Sequence, residues 1–381
     1  MNVDSESAIE STAVDFVVRQ GDLGLYRFNE APHLETLELG PDDVALRIER
    51  FAFTANNVTY AVLGRSMSFF GFFPAEKGWG RIPVWGMATI ARTSREDLAQ
   101  GARFYGYFPM SSYVVVRPSK VTQRSFVDAM PARCDLFPLY NAYSRMLPEF
   151  GFAPELDHIQ LLLRPVFITS FILDDLLDDE AAFGARVVAI SSASSKTAIG
   201  LAHLLAKRKR NGAASIQIEV VGLTSARNRS FVENLRLYDR VATYDAIEAF
   251  DPNRPVVLID MAGNAAVRAS LRARLGPRFL RSIGIGATHW DHLAVRDALG
   301  ADDSEAFFAP ARIAKRIEDW GGAGFAARFG EAMSGFAATV AHQPEPWLRV
   351  REELGPHALL RVYEATRAGN VDPRDGFVLG L

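Results

Sequence analysis

Apolar positions along this chain follow two regimes. In the first 155 residues they come in short runs. Residues 44–50 alternate apolar and charged, as a half-buried strand does, and 82–90, 103–108 and 113–117 repeat that length between Gly and Pro punctuation. Residues 157–180 then carry a long apolar helical pattern. Beyond it, 186–190 is a short run of β-branched and small apolar residues, the signature of a strand buried on both faces, and 216–223, 255–260 and 281–285 read as further strands. Helical patterns at 228–237 and 265–275 lie between them. Repeated β-α-β order predicts a parallel sheet with ligands at the carboxyl ends of its strands. Residues 307–381 mix helices with a terminal strand at 376–380.

The chain is organised around 183–210. A strand at 186–190 runs into a polar turn, and Ala198, Ile199, Leu201, Ala202, Leu204 and Leu205 then recur at helical spacing. Four cations, Lys207 to Arg210, suit the negative end of that helix, and Asn211-Gly212 can cap it. Strand, tight turn and helix together aim free N–H groups at a phosphate. A dinucleotide fingerprint wants glycines in this turn. Here stand Ser192, Ala193, Ser194, Ser195, Lys196 and Thr197, with the first glycine at Gly200. Hydroxyls and an ammonium can replace part of what bare glycine amides supply. Ser195-Lys196-Thr197 also echoes the end of a nucleoside-triphosphate loop, but Ser195 and Ile190 occupy the places where that loop needs glycine. A solvated serine turn without a ligand is the plainest alternative.

The other strand ends refine the picture. After the second strand come Thr224, Ser225, Arg227 and Arg229, with no Asp or Glu to hold a ribose 2′-hydroxyl, so a 2′-phosphate and hence NADP is favoured over NAD. Two merely exposed first-turn arginines are the competing view. The third strand ends in Asp260, Met261, Ala262 and Gly263, and the fourth in Gly286, Thr288 and His289; small residues there let a flat ring lie close to backbone. In the β-rich part, 66–86 concentrates Phe69, Phe70, Phe72, Phe73, Trp79 and Trp85, which either plug that domain or line an apolar pocket. Asp174, Asp175, Asp178 and Asp179, with no second acidic cluster opposite, read as a solvated helix face rather than a metal site.

Composition adds exclusions. With 381 residues, two domains are expected; 49% apolar and 23% charged residues are ordinary for a globular protein. A net charge of −3 gives no global field for nucleic acid, and the lone Cys134 excludes an internal disulfide and a cysteine-rich zinc site. Neither a signal peptide nor an apolar run of about 20 residues is evident, so a cytoplasmic protein without a membrane partner is expected.

The order of these parts resembles the medium-chain dehydrogenase/reductase superfamily, and within it the zinc-free, quinone-oxidoreductase-like branch, in an uncharacterised bacterial group. Residues 51–64 (FAFTANNVTYAVLG) resemble the early segment in which Asn56 takes the asparagine place of that branch. Residues 82–90 (IPVWGMATI) resemble the strand where zinc enzymes carry glycine-histidine-glutamate, here Gly86-Met87-Ala88. Residues 101–118 resemble the next hairpin; ISSASSKTAIG stands in the glycine-rich turn, LIDMAGN by the nicotinamide ribose, and SIGIGATHWD in the following strand. The serine-rich turn and the aromatic insertion depart from the pattern.

The resemblance implies an α/β protein: a GroES-like domain over 1–155, a Rossmann parallel-sheet domain over 156–310, and a return segment over 311–381 that completes the first. It implies a zinc-independent, NADP-dependent oxidoreductase acting on a small apolar carbonyl compound, an enone, enoyl thioester or quinone, whose charge spreads onto an oxygen that a donor can stabilise. Tyr60, which follows Asn56, is a candidate donor, and Tyr107, Tyr140 and His289 are others. A homodimer through the Rossmann sheet edge is common in that family. The competing class is a non-catalytic dinucleotide-binding scaffold or redox sensor, which the loss of turn glycines favours and Lys196 opposes.

Overall fold

A computed structural model describes residues 13–136, 138–148, 152–212, 218–285, 305–307, 309–342 and 346–381. The chain divides into two compact units, one built from residues up to Leu162 together with Leu348–Leu381, the other from Leu163–Trp347. The return to the first unit therefore begins at Leu348. The long helix Ala309–Ala341, expected in the return segment, packs in the second unit, where Phe336 stacks on Phe167 with centroids 4.7 Å apart.

The first unit is β-rich. Its main sheet places Asp375–Gly380 antiparallel to Val44–Phe53, which pairs with Pro83–Thr93, which pairs in turn with Arg103–Pro109. Val44–Phe53 runs longer than its alternation predicts and is buried along most of its length. It holds three strands at once, and register shifts at Ala45/Leu46 and Ile48/Arg50 break the two-residue period. The aromatic insertion forms a short 3-10 turn, Phe69–Gly71, and Phe69, Phe70, Phe72 and Phe73 are buried. Phe70 needs glycines on either side: a Cβ on Gly64 or Gly80 would come within 2.4 Å of its ring.

The second unit carries a six-stranded sheet in the order Arg240–Thr243, Glu219–Thr224, Val187–Ile190, Val256–Asp260, Phe279–Gly284, Glu305–Ala306, every pair parallel. In chain order this is 3-2-1-4-5-6, the doubly wound arrangement with its switch point beside the first strand. Both faces are covered. Val188, Ile190 and Val257 pack with Leu201 and Leu205, while Val187, Ala189 and Val256 pack with Val267 and Leu271 on the other side. That double burial is why Val187–Ile190 reads as an unbroken apolar run. The fold is thus the α/β architecture expected, a Rossmann parallel sheet and a separate β-rich unit.

Two expectations need correction. The four aspartates are not a solvated face: Asp174 is buried and paired with Arg208, and Asp175 and Asp179 both pair with Arg312 and Arg316. Their partners lie on helices far along the chain, out of reach of a local reading. The helix Pro154–Asp179 is, by length and composition, apolar enough to cross a membrane, contrary to the sequence reading; 56% of its apolar window is buried, as in a core helix.

Candidate functional site

In the second unit, the turn after Val187–Ile190 gathers Ser192, Ser194, Ser195, Lys196 and Thr197 at the start of the helix Lys196–Arg210. Ser195 caps that helix, its Oγ accepting from the Ala198 N–H at 3.3 Å. Ser192 sits at φ 46°, in the left-handed region a glycine enters freely. Its N–H donates to the Tyr244 hydroxyl at 2.9 Å. The Tyr238 hydroxyl donates to the Ala193 carbonyl at 2.8 Å, and the Asn228 amide donates to Ser194 Oγ at 3.1 Å. Ser194 is buried, and the Thr197 carbonyl accepts from Ser170 Oγ at 2.7 Å.

The neighbouring strand ends close round this turn. Thr224 is buried, and its carbonyl accepts the Tyr244 N–H at 3.1 Å; Ser225 is half-buried and starts the 3-10 turn Ala226–Asn228. Arg227 and Arg229 are both exposed, but they differ. Arg229 is ion-paired with Glu233 at 2.8 Å, whereas Arg227 has no side-chain partner among the described residues. Ala262 and Gly263 follow Asp260, which is 1% exposed and organises the strand end. One oxygen of Asp260 accepts from Ser191 Oγ at 2.7 Å and from the N–H groups of Ala262 and Gly263 at 3.1 and 3.0 Å. The other takes Arg268 at 2.7 Å. Gly286 and His289 lie outside the described residues.

In the first unit, Thr54 caps the helix Ala55–Val62 in a reciprocal box with Asn57. Asn56 and Tyr60, four residues apart, share a face of that helix. Trp85, Asn56 and Tyr140 lie beside the Tyr60 oxygen as hydrogen-bond donors that favour its ionised form. Burial pushes the Tyr60 phenol above the ordinary tyrosine value, against the pull of those three donors. Tyr107 lies directly across the strand pair from Trp85, and its ring touches those of Tyr60, Trp85 and Tyr140. Its hydroxyl is wholly buried and has no hydrogen-bond partner among the described residues. Burial raises Tyr107 and Tyr140 well above the usual range, so all three phenols stay protonated at neutral pH. Phe69 and Phe72 pack against Tyr140, so these insertion aromatics wall the phenol cluster.

Sequence reasoning missed Trp85 as a donor, and it missed Tyr238, Tyr244 and Arg268 altogether. Tyr244 and Tyr238 flank Arg240–Thr243, a strand too short to show a pattern. Arg268 lies four residues beyond Asn264, the cap of Ala265–Leu275, and so reaches back over the strand end; only that spacing could have pointed to it.

Solved structures share this two-domain fold. The yhdH oxidoreductase from Salmonella enterica, solved in complex with NADP, has 14% identity and a TM-score of 0.53, with 97% of this chain and 99% of that chain covered. CurA from Vibrio vulnificus, in complex with NADPH, has 10% identity and a TM-score of 0.58 over 97% and 99%. The Etr1p/NADP/crotonyl-CoA complex has 7% identity and a TM-score of 0.57 over 97% and 100%. The expected medium-chain dehydrogenase/reductase fold is the fold found. No curated protein matches the sequence. One family profile, described as protein of unknown function (DUF2855), matches residues 51–372, and the chain belongs to that family.

Proposed function

We propose that this protein is an NADPH-dependent oxidoreductase that reduces an apolar conjugated carbonyl compound, an enone, enoyl thioester or quinone, without a catalytic metal. The observation that carries the reading is the gathering, at the carboxyl ends of a parallel 3-2-1-4-5-6 sheet, of a capped helix N-terminus and an arginine without a carboxylate partner among the described residues. The residues fit the dinucleotide. First-turn N–H groups, Lys196 and the serines suit its diphosphate, and Arg227 suits the 2′-phosphate, with no acid among residues 224–229 to oppose it. The comparison structures solved with NADP or NADPH support the same cofactor.

When bound, the dihydronicotinamide supplies a hydride to the β-carbon of the acceptor. Tyr60 supplies the proton that completes the reduction, and Trp85, Asn56 and Tyr140 hold the oxygen that has given it up. The aromatic side chains around Tyr60 favour an apolar substrate. A homodimer through the sheet edge belongs to the same reading, and light scattering tests it.

A non-catalytic dinucleotide binder is favoured by one observation: the Ser192 amide, first of the turn, is already taken by Tyr244. Oxidation of NADPH by a panel of enones and quinones separates the two, since a scaffold will bind the nucleotide and turn over none of them.

Arg227→Ala is expected to weaken NADPH binding about 10–150-fold, the loss of roughly 1.5–3 kcal/mol of charge-assisted contact, and to leave NADH unchanged. Arg229→Ala will do less, because Glu233 already holds that guanidinium. Lys196→Ala will weaken both nucleotides and flatten the salt dependence of binding. Fluorescence titration reads all three; equal wild-type affinity for NADPH and NADH overturns the assignment. Zinc is expected to be absent in stoichiometric amount, because Met87 holds the place of a ligand histidine and no metal-holding group of His, Cys, Asp and Glu is found among the described residues. Elemental analysis that finds zinc lost together with activity on chelation refutes this.

A further inference from the structure

We infer that Tyr244 is a positioning residue of the dinucleotide site, doing for Ser192 what a glycine does in a glycine-rich turn. The inference rests on the turn being a nucleotide site. Ser192 adopts φ 46°, a conformation that costs an L-residue and costs glycine nothing. A residue held there needs something to hold it, and the structure supplies it from the adjacent strand ends. Tyr244 is anchored by its own N–H on the Thr224 carbonyl at 3.1 Å, and its hydroxyl accepts the Ser192 N–H at 2.9 Å.

The next residue is held the same way. The Ala193 N–H donates to the Leu223 carbonyl at 3.0 Å, and the Ala193 carbonyl accepts from the Tyr238 hydroxyl at 2.8 Å. Burial of Tyr238 raises its phenol well above the ordinary value, so it stays a donor. The glycine that the turn lacks stands instead on the neighbouring strand: a Cβ on Gly222 would lie 2.9 Å from the Tyr238 ring and 3.0 Å from the Ala193 Cβ. Two phenols and a displaced glycine thus fix the path of a turn whose own residues do not prefer it. Of the two, Tyr244 acts on the strained residue itself. The Ser195 N–H then donates to the Ser192 carbonyl at 2.7 Å, which carries that geometry directly to the helix cap.

A positioning role and direct contact with nucleotide make opposite predictions for rescue. Tyr244→Phe keeps the ring and its packing and deletes only the acceptor for Ser192. NADPH affinity is expected to fall about five- to tenfold, the worth of one hydrogen bond. Ser192→Gly alone loses whatever the Ser192 hydroxyl gives the diphosphate, so it is the reference for rescue. In the Ser192→Gly background Tyr244→Phe should cost less than about twofold, because glycine needs no brace at positive φ. Unchanged affinity in Tyr244→Phe overturns the inference, as does failure of glycine to rescue it, which would mark Tyr244 as a direct nucleotide contact. If wild type binds no NADPH, the functional reading fails and the melting temperatures decide the inference: Ser192→Gly must raise that of the Phe variant more than that of wild type, and equal shifts refute it.

Discussion

Asp260→Ala is expected to cost the second unit about 3–5 kcal/mol of stability, the scale set by removing one partner from a buried ion pair, and to abolish nucleotide binding with it. The Asp260 side chain is 2% exposed and that of Arg268 is 18% exposed, so the carboxylate is cut off from water and the guanidinium only partly reaches it. Removing the carboxylate strands the guanidinium and leaves the Gly263 N–H and the Ser191 hydroxyl without the acceptor that joins them. Those two groups lie on different strand ends, so the loss also loosens the turn from the loop at Ala262 and Gly263, leaving the Ala262 N–H on Ser191 Oγ at 3.1 Å as their direct link. Asp260→Asn separates charge from shape. It keeps one carbonyl-type acceptor for Ser191 and Gly263 and loses the ion pair, so its cost should fall well below that of Ala. Denaturant melts of the three proteins read this. A loss under about 1 kcal/mol for Asp260→Ala, the worth of a single ordinary hydrogen bond, sinks the claim.

Why Asp260 was visible in sequence only as the last letter of a strand shows where such reading stops. Val187–Ile190 and Val256–Asp260 could be found because burial on both faces writes itself into every residue of a strand. Ala265–Leu275 could be found because its buried Val267, Leu271 and Leu275 keep helical spacing. Arg240–Thr243 was not found: four residues, two of them only half-buried, hold no period. Charge partners were no easier. Asp174 and Asp175 look solvated until Arg208 and Arg312 arrive from other helices, and nothing local distinguishes Arg227 from Arg229 except Glu233, four residues past the latter. The serine-rich turn looked like a weakened fingerprint for the same reason. Its braces, Tyr238, Tyr244 and Asn228, belong to other strand ends, and its strain at Ser192 is a property of backbone, not of composition.

Tyr60→Phe is expected to lower kcat about 10²–10⁴-fold, the usual contribution of a positioned general acid, with NADPH affinity unchanged. The phenyl ring keeps its contacts with Phe69, Tyr107 and Tyr140, so the packing is preserved and any loss of stability is confined to the donors that faced the deleted oxygen. What is lost is the proton and the oxygen on which Trp85, Asn56 and Tyr140 converge. The pH dependence follows from the same geometry. An acid must be protonated to act, so the rate should hold through neutrality and fall only as pH rises past the Tyr60 value. Burial places that value above the ordinary tyrosine range. Asn56→Ala removes one of the donors that pull it down, so the alkaline limb should move to still higher pH while kcat falls less than in Tyr60→Phe. Trp85→Phe should shift the limb the same way, since the indole N–H can only donate. Two results are incompatible with Tyr60 as the acid: a Phe variant within about threefold of wild-type kcat, against the usual range for such a group, or an alkaline limb that stays in place when both donors are removed.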